Sequence, residues 1–328
     1  MPDPLLDRKS LDELLSHVAE RAQRYLAQVD DLPAGGTQQR DAAAAHFVGK
    51  LPEQGDGSAA TLTRLMTRGL EAATNSAGPR FFHFVTGGST PAALAADWLA
   101  STIDNNAGLW VSSPLGSKLE QVAIAWLKDL FQLPEDWGGV LTTGATMSNF
   151  TALAAARQWW GEQHGVEIAE HGMSGLPAVP VFSSDFIHAS AKKALSMLGI
   201  GHARVSPSPL WGGSGRGSLD SLAVELKALK GAPAIVIAIA GEVNAGGFDP
   251  IRDLAELAHR HNVWLHVDGA FGLFARASPK TAHLAAGVEL ADSVIADGHK
   301  WLNVPYDCGF AFARDSRLLN AVFGRGAP

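Results

Sequence analysis

Two runs near the C-terminal end decide the fold: HVDGAFG (residues 266–272) and ADSVIADGHKWLNVPYDCG (residues 291–309). Each contains or continues a short apolar strand candidate, Val263–Val267 and Ser293–Ala296, and each leaves its strand on ionisable residues. The first ends on Asp268, the second on Asp297, Gly298, His299 and Lys300. Ligands of open α/β sheets sit beyond the carboxyl ends of the strands, so chemistry-bearing residues at these two exits mark a site. Taken singly, a lysine is a solvated surface group and a strand-end aspartate is as often a turn residue. Lys300, however, follows an apolar strand and precedes Trp301, Leu302 and Val304. Desolvation there disfavours the charged amine and yields the neutral nucleophile that attacks a carbonyl.

The same pattern recurs upstream. Strand candidates Gly139–Thr142, Val179–Ser183, Ala234–Ala240 and, at the end, Gly309–Ala313 interleave with helix candidates Ser117–Phe131, Thr146–Gly161, Ala189–Leu198, Leu219–Lys230 and Pro250–His261. That alternation reads as βα units in a mainly parallel sheet. Pro250 after Asp249 predicts a helix start with Asp249 as its cap. The strand at Gly139–Thr142 runs into Thr143, Gly144, Ala145 and Thr146, small residues whose free amides and helix dipole suit a phosphate. The strand at Val179–Ser183 is followed by Asp185 and His188. Before Pro91 the reading differs: an amphipathic helix over Leu5–Val29 and a second over Ser58–Ala73, separated by a Pro- and Gly-rich stretch, describe an arm and not a core.

Composition narrows the function classes. With 46% hydrophobic residues, 35 Gly and 17 Pro the chain is globular and rich in turns. A net charge of −7 without any Lys/Arg block argues against nucleic acid as a partner. No run reaches membrane-spanning length and the first thirty residues carry no apolar leader, so no membrane association is expected. A single cysteine, Cys308, excludes an intrachain disulfide and fits a cytoplasmic setting. No His/Cys set has zinc-ligand spacing, so no metal is expected.

A lysine for an imine, a carboxylate for a ring nitrogen, a phosphate cradle and a flat partner for the ring are the four groups that pyridoxal 5'-phosphate requires. Lys300, Asp268, the Gly144–Thr146 turn and His188 supply them in order. The ordered runs FFHFVTGGSTPAALAADWL (81–99), SSPLGSKLE (112–120), TTGATMSN (142–149) and IHASAKKA (187–194), with the two C-terminal runs, closely resemble the group II pyridoxal-phosphate-dependent amino-acid decarboxylases of fold type I.

The resemblance spans nearly the whole chain. It implies a three-layer α/β/α large domain over 86–328 with a mainly parallel seven-stranded sheet, preceded by an N-terminal helical arm over 1–85 that wraps a partner subunit in a homodimer. It also implies Lys300 as the Schiff-base lysine, Asp268 as the pyridinium partner, His188 stacked on the ring and Ala270 on the opposite face. Gly144, Ala145 and Thr146 with His299 become the phosphate site, and Phe84 and Thr86 the substrate pocket. The implied reaction converts an L-amino acid to an amine and carbon dioxide. The alternatives are another pyridoxal-dependent carbon–carbon lyase or transaminase activity, or a non-catalytic truncated paralogue that binds the cofactor or a partner subunit.

Departures from the family pattern are specific. Ala145 stands for a glycine, Met147 for a glutamate, and Val243 for a cofactor-contacting threonine, with Asn244 its neighbouring substitute. Only 28 residues follow Lys300, so the family's C-terminal small domain and the loop carrying its tyrosine are expected to be missing; Tyr25 and Tyr306 are the only tyrosines.

Overall fold

Strand β4 (Ala234–Ile239) shows how the sheet is layered in the computed structural model, which describes residues 6–35, 38–208, 217–306 and 308–324. Its residues alternate between two cores, as side chains on a pleated strand must. Ala234, Val236 and Ala238 join Leu265, Val267, Val294 and Phe312 on one face. Ile235, Ile237 and Ile239 join Trp264 and Val181 on the other. A strand apolar on both sides belongs in the middle of a covered sheet.

The remaining strands are β1 (Gly138–Thr142), β2 (Val181–Ser184), β3 (Val205–Ser208), β5 (Val263–Asp268), β6 (Ser293–Asp297) and β7 (Gly309–Ala313). All seven form one sheet in the order β1-β7-β6-β5-β4-β2-β3. Strand β7 is antiparallel to β1 and β6, and every other pair is parallel. Six strands match the sequence candidates to within two residues at each end. The seventh, β3, reads VSPS and carries no apolar pattern. It lies at the sheet edge, where Pro207 costs the ladder no hydrogen bond on its open side.

Contacts divide the chain into two units, Met1–Gly88 and Ser89–Pro328. The first holds α1 (Leu11–Gln28), α2 (Gln38–Ala44), α3 (Ser58–Arg64) and α4 (Leu70–Ala72), with a π turn over Leu65–Gly69 between the last two. Asn75 binds this unit together, accepting from the Tyr25 hydroxyl at 2.9 Å and donating to the Val29 carbonyl at 2.9 Å. The second unit adds α5 (Pro91–Ile103), α6 (Pro114–Phe131), α7 (Ala145–Glu162), α8 (Ile168–His171), α9 (Ala189–Met197), α10 (Gly217–Ala228), α11 (Ile251–Arg260), α12 (Gly298–Trp301) and α13 (Ser316–Phe323). Helices α6, α10 and α11 cover one sheet face through Phe131, Leu222 and Leu254. Helices α7, α9 and α13 cover the other through Leu153, Leu195 and Leu318. Each such fully buried side chain contributes roughly 1.5–3 kcal/mol relative to exposure. Among the described residues no helix is long and apolar enough to cross a membrane.

One expectation fails at α11. Asp249 does not cap it; the N-cap position is Pro250, without a side-chain hydrogen bond. The β2 ladder stops at Ile237, and an isolated bridge between Ala240 and Phe248 folds the loop back onto β4. Asp249 therefore accepts from the Ile239 amide at 2.7 Å instead.

Burial pushes the Asp249 carboxyl up to about 7, against the lowering effect of that amide. The folded chain then holds the proton more tightly than the unfolded chain, whose carboxyl releases it near 3.8. The stability from this group is complete below that value and is lost as the pH rises through about 7. Asp249→Asn should remove this loss, raising stability on the alkaline side by on the order of 4 kcal/mol. Urea denaturation of both chains on the acidic and alkaline sides of neutrality checks it; parallel pH profiles would contradict the assignment.

Candidate active site

Strand register brings the chemistry to one edge of the sheet. Thr142 at the end of β1 pairs with Gly309 at the start of β7, and Gly309 pairs with Asp297 at the end of β6. Asp268 at the end of β5 pairs with Ile295 on one side and Ile239 at the end of β4 on the other. The segments leaving this edge carry Gly144–Thr146, His188, Asp268–Ala270 and His299–Lys300.

Asp268 is 5% exposed and both its oxygens are met by donors. Oδ1 accepts the Ala270 amide at 3.2 Å and Oδ2 accepts the Asn149 side-chain amide at 3.0 Å. The same Asn149 nitrogen donates to Ser190 Oγ at 3.1 Å. Ser190 Oγ lies 2.7 Å from His188 Nδ1, which also accepts the Ser190 amide at 3.2 Å. His188 thus caps α9, and its ring is exposed although Ile187 and Ser190 beside it are buried.

Lys300 sits in the single turn of α12, half-buried, with Nζ 5.5 Å from the centre of the Phe271 ring. A cation over an aromatic face is attracted by the ring quadrupole. The turn is fixed to β5 by the Asp297 amide, which donates to the Ala270 carbonyl at 3.0 Å.

At the start of α7, Gly144 is buried with φ 105°, a conformation that L side chains rarely adopt. Gly309 packs directly on it: a Cβ there would lie 2.5 Å from the Gly144 carbonyl carbon and 2.7 Å from its oxygen. The Ala145 amide is already taken by Asp297 Oδ2 at 3.2 Å. An anion at this turn would therefore meet the next first-turn amides, those of exposed Thr146 and Met147. Asp297 Oδ1 and His299 Nδ1 are buried, 2.8 Å apart, and neither has an aligned hydrogen bond. A cradle with imperfectly satisfied polar atoms, open first-turn amides and an exposed imidazole at its rim suits a phosphorylated aromatic ring, so the residues present fit the group the sequence implies.

The loop after β4 is closed by Glu242, which is buried and accepts from the Asn244 amide at 2.8 Å, the Asn244 side chain at 3.0 Å and the Ala245 amide. Against burial, which raises it, those donors hold the carboxyl below the usual range. Val243 is left 51% exposed. Phe84 and Thr86 belong to the first unit. Phe84 is 85% exposed, and with Val85 it adopts consecutive left-handed conformations, φ 59° and 54°. Such backbone is unusual for a bulky residue followed by a β-branched one.

Sequence reasoning did not single out Asn149, Ser190 or Phe271, and it named Asp297 only as a strand-exit residue without a role. Asp297 and Phe271 lie within three residues of Lys300 and Asp268 and were open to view there. Asn149 was not, because its contact to Asp268 spans 119 residues.

Residues 53–324 match the family model of the pyridoxal-dependent decarboxylase conserved domain. The chain is 32% identical over 280 residues to an aromatic-L-amino-acid decarboxylase of Bacillus atrophaeus, covering 83% of this chain and 55% of that protein. It therefore spans about half the length of this curated relative. Its fold superposes on Oryza sativa TDC with PLP and tryptamine at TM-score 0.85 and 26% identity, over 100% of this chain and 68% of that one. Mouse CSAD gives TM-score 0.84 and 25% identity over 99% and 67%.

The contact between Gly309 and Gly144 carries a direct expectation. Gly309→Ala should cost about 1–3 kcal/mol by overpacking the turn. Gly49→Ala, where a Cβ meets nothing within 4 Å, should be nearly neutral. Denaturant midpoints of the two variants measure the difference.

Proposed function

The chain belongs to the pyridoxal-dependent decarboxylase family, and from that premise we propose that it binds pyridoxal 5'-phosphate as a Schiff base on Lys300 and decarboxylates an L-amino acid to an amine. The observation that carries the proposal is that Asp268, Lys300 and His188 each follow the carboxyl end of a different strand of the sheet, with Asp268 bound by Asn149 directly and His188 linked to the same asparagine through Ser190.

Pyridoxal phosphate, when bound, supplies an electron-withdrawing ring that takes up the electron pair left as a bond to the substrate's α-carbon breaks. The residues of this chain do the rest. Lys300 would be the amine that anchors the cofactor. Asp268 holds a proton at the ring nitrogen, its carboxylate kept in place by Ala270 and Asn149. With the cofactor bound, His188 would cover one face of its ring and Ala270 the other. The Gly144–Thr146 turn and His299 hold the phosphate. Phe84 and Thr86 receive the substrate side chain; the aromatic group of residues 81, 83 and 84 and the aromatic specificity in the relative's name favour an aromatic amino acid as the first class to test.

The working form we propose is a cytoplasmic homodimer. Helix α1 buries none of its residues, and Leu11, Leu15 and Leu26 are 46%, 58% and 43% exposed. In the second unit Trp110, Val111, Leu119 and Trp126 are 58%, 84%, 57% and 73% exposed. Apolar surface on this scale marks an interface. In this reading the first unit serves as the dimerisation arm.

The deciding experiment is the visible spectrum of the protein with pyridoxal phosphate, before and after borohydride, for wild type and Lys300→Ala, followed by product analysis on a panel of L-amino acids. The expected result is an imine band fixed covalently on Lys300, absent in the variant, with carbon dioxide and an amine as products. Asp268→Ala should lower turnover by about 100-fold or more. Keto acid or aldehyde products would identify a different reaction on the same cofactor, and a fixed cofactor without turnover would favour a non-catalytic paralogue.

A further inference from the structure

Beneath the site, a buried chain of hydrogen bonds through Trp264, Ser293 and His266 ends on Asn149, the residue that donates to Asp268. Trp264, His266 and Asp268 alternate along β5 and so share one sheet face. Ser293 pairs with His266 from β6, and Asn149 reaches down from α7. His266, Ser293 and Asn149 are all 0% exposed. Trp264 Nε1 lies 2.9 Å from Ser293 Oγ, Ser293 Oγ lies 2.9 Å from His266 Nδ1, and His266 Nε2 lies 2.8 Å from Asn149 Oδ1.

The direction of these bonds follows from the carboxylate at the far end. Asp268 only accepts, so Asn149 presents its NH₂ to Asp268 Oδ2 and Ser190 Oγ and turns its oxygen to His266 Nε2. The proton of the neutral imidazole is then on Nε2, which donates to Asn149 Oδ1. His266 Nδ1 is left as an acceptor for the Ser293 hydroxyl, whose oxygen accepts from the Trp264 indole. Ser190, accepting from Asn149, gives its own proton to His188 Nδ1. Reversed, the Asn149 oxygen would face the Asp268 carboxylate.

We propose that Asn149 is a positioning residue that couples the orientation of Asp268 to that of His188, and that the Nε2–H tautomer of His266 holds its direction. The proposal rests on the cofactor reading above for what Asp268 and His188 do. Burial lowers His266 to about 4, with the Asp268 charge acting the other way, so the ring stays neutral across neutral pH and its hydrogen bonds select the tautomer. Asp268 is the charged group facing the ring; Ile237 of β4, Ser293 of β6 and Asn149 of α7 are uncharged.

The test uses the full chain with Asn149→Ala, His266→Phe and His266→Gln. Borohydride labelling of Lys300, affinity for pyridoxal phosphate and the pH midpoint of the imine band are measured for each. Asn149→Ala should still label Lys300 but bind the cofactor about tenfold or more weakly, because Asp268 Oδ2 loses its donor. Its imine midpoint should also move, which a merely structural role would leave unchanged. His266→Phe should reproduce both effects, and His266→Gln, whose amide can donate to Asn149 Oδ1, should restore part of each. Wild-type midpoint and affinity in a folded Asn149→Ala would overturn the proposal. Nitrogen NMR of the His266 ring in the unmodified chain tests it without any variant: Nε2–H at neutral pH supports it, and an Nδ1–H or doubly protonated ring overturns it. Failure of the unmodified chain to label Lys300 would count against the cofactor reading, and the ring tautomer would still decide this inference.

Discussion

A carboxylate at the end of a central strand, taken almost wholly out of water, has to be met by donors, and much of the site follows from how Asp268 is met. One donor is local, the Ala270 amide in the turn that leaves β5. The other is Asn149, and delivering it requires a helix laid close against the sheet. Helix α7 does this with Ala152, Ala154, Ala155 and Ala156, each 0% exposed, whose small side chains let the backbone approach. The same helix begins at Gly144, over Gly309, so the Gly144–Thr146 turn and the support of Asp268 both come from the first two turns of one element.

Strand-end chemistry was legible because period-two alternation fixes both where a strand ends and which way its last side chain points. WLHVD shows it most fully: Leu265 and Val267 enter one core, while Trp264, His266 and Asp268 share the opposite face. The polar stripe on an otherwise apolar strand was there to be read, yet its meaning depends on Asn149 and Ser293, 117 and 27 residues away from His266. Strand β3 escaped notice for the reverse reason, since an edge strand containing proline needs no apolar alternation. Asp249 misled because a cap and a loop clamp share one local pattern; only the tertiary bridge from Ala240 to Phe248 separates them.

Two departures from the family pattern acquire a physical sense in the fold. The loop after β4 reads GEVN, and Glu242 uses its carboxylate as an internal acceptor for the amides that follow, leaving Val243 outward. The loop is ordered by a buried acid where a hydroxyl residue was expected to reach outward. At the Gly144–Thr146 turn, Asp297 draws the Ala145 amide and sits against His299, so α12 and α7 are clamped by a carboxylate belonging to neither helix interior. An anion bound here meets a turn whose first amide is spent, which places more of the binding on later amides and on His299.

The Asp268 carboxylate gives this arrangement its polarity, and the Trp264 indole at the other end agrees with it. Most buried hydroxyl and amide groups can donate or accept, and a chain of them has two directions of nearly equal energy. A donor-only group at one end and an acceptor-only carboxylate at the other remove that degeneracy. Trp264 and Asp268 are those ends, two residues from His266 and from each other four, on one face of one strand. The specificity of the site is in this sense written into β5 itself: a strand that alternates apolar residues toward one core carries, on its other face, both termini of the hydrogen-bond chain that sets how Asp268 is presented.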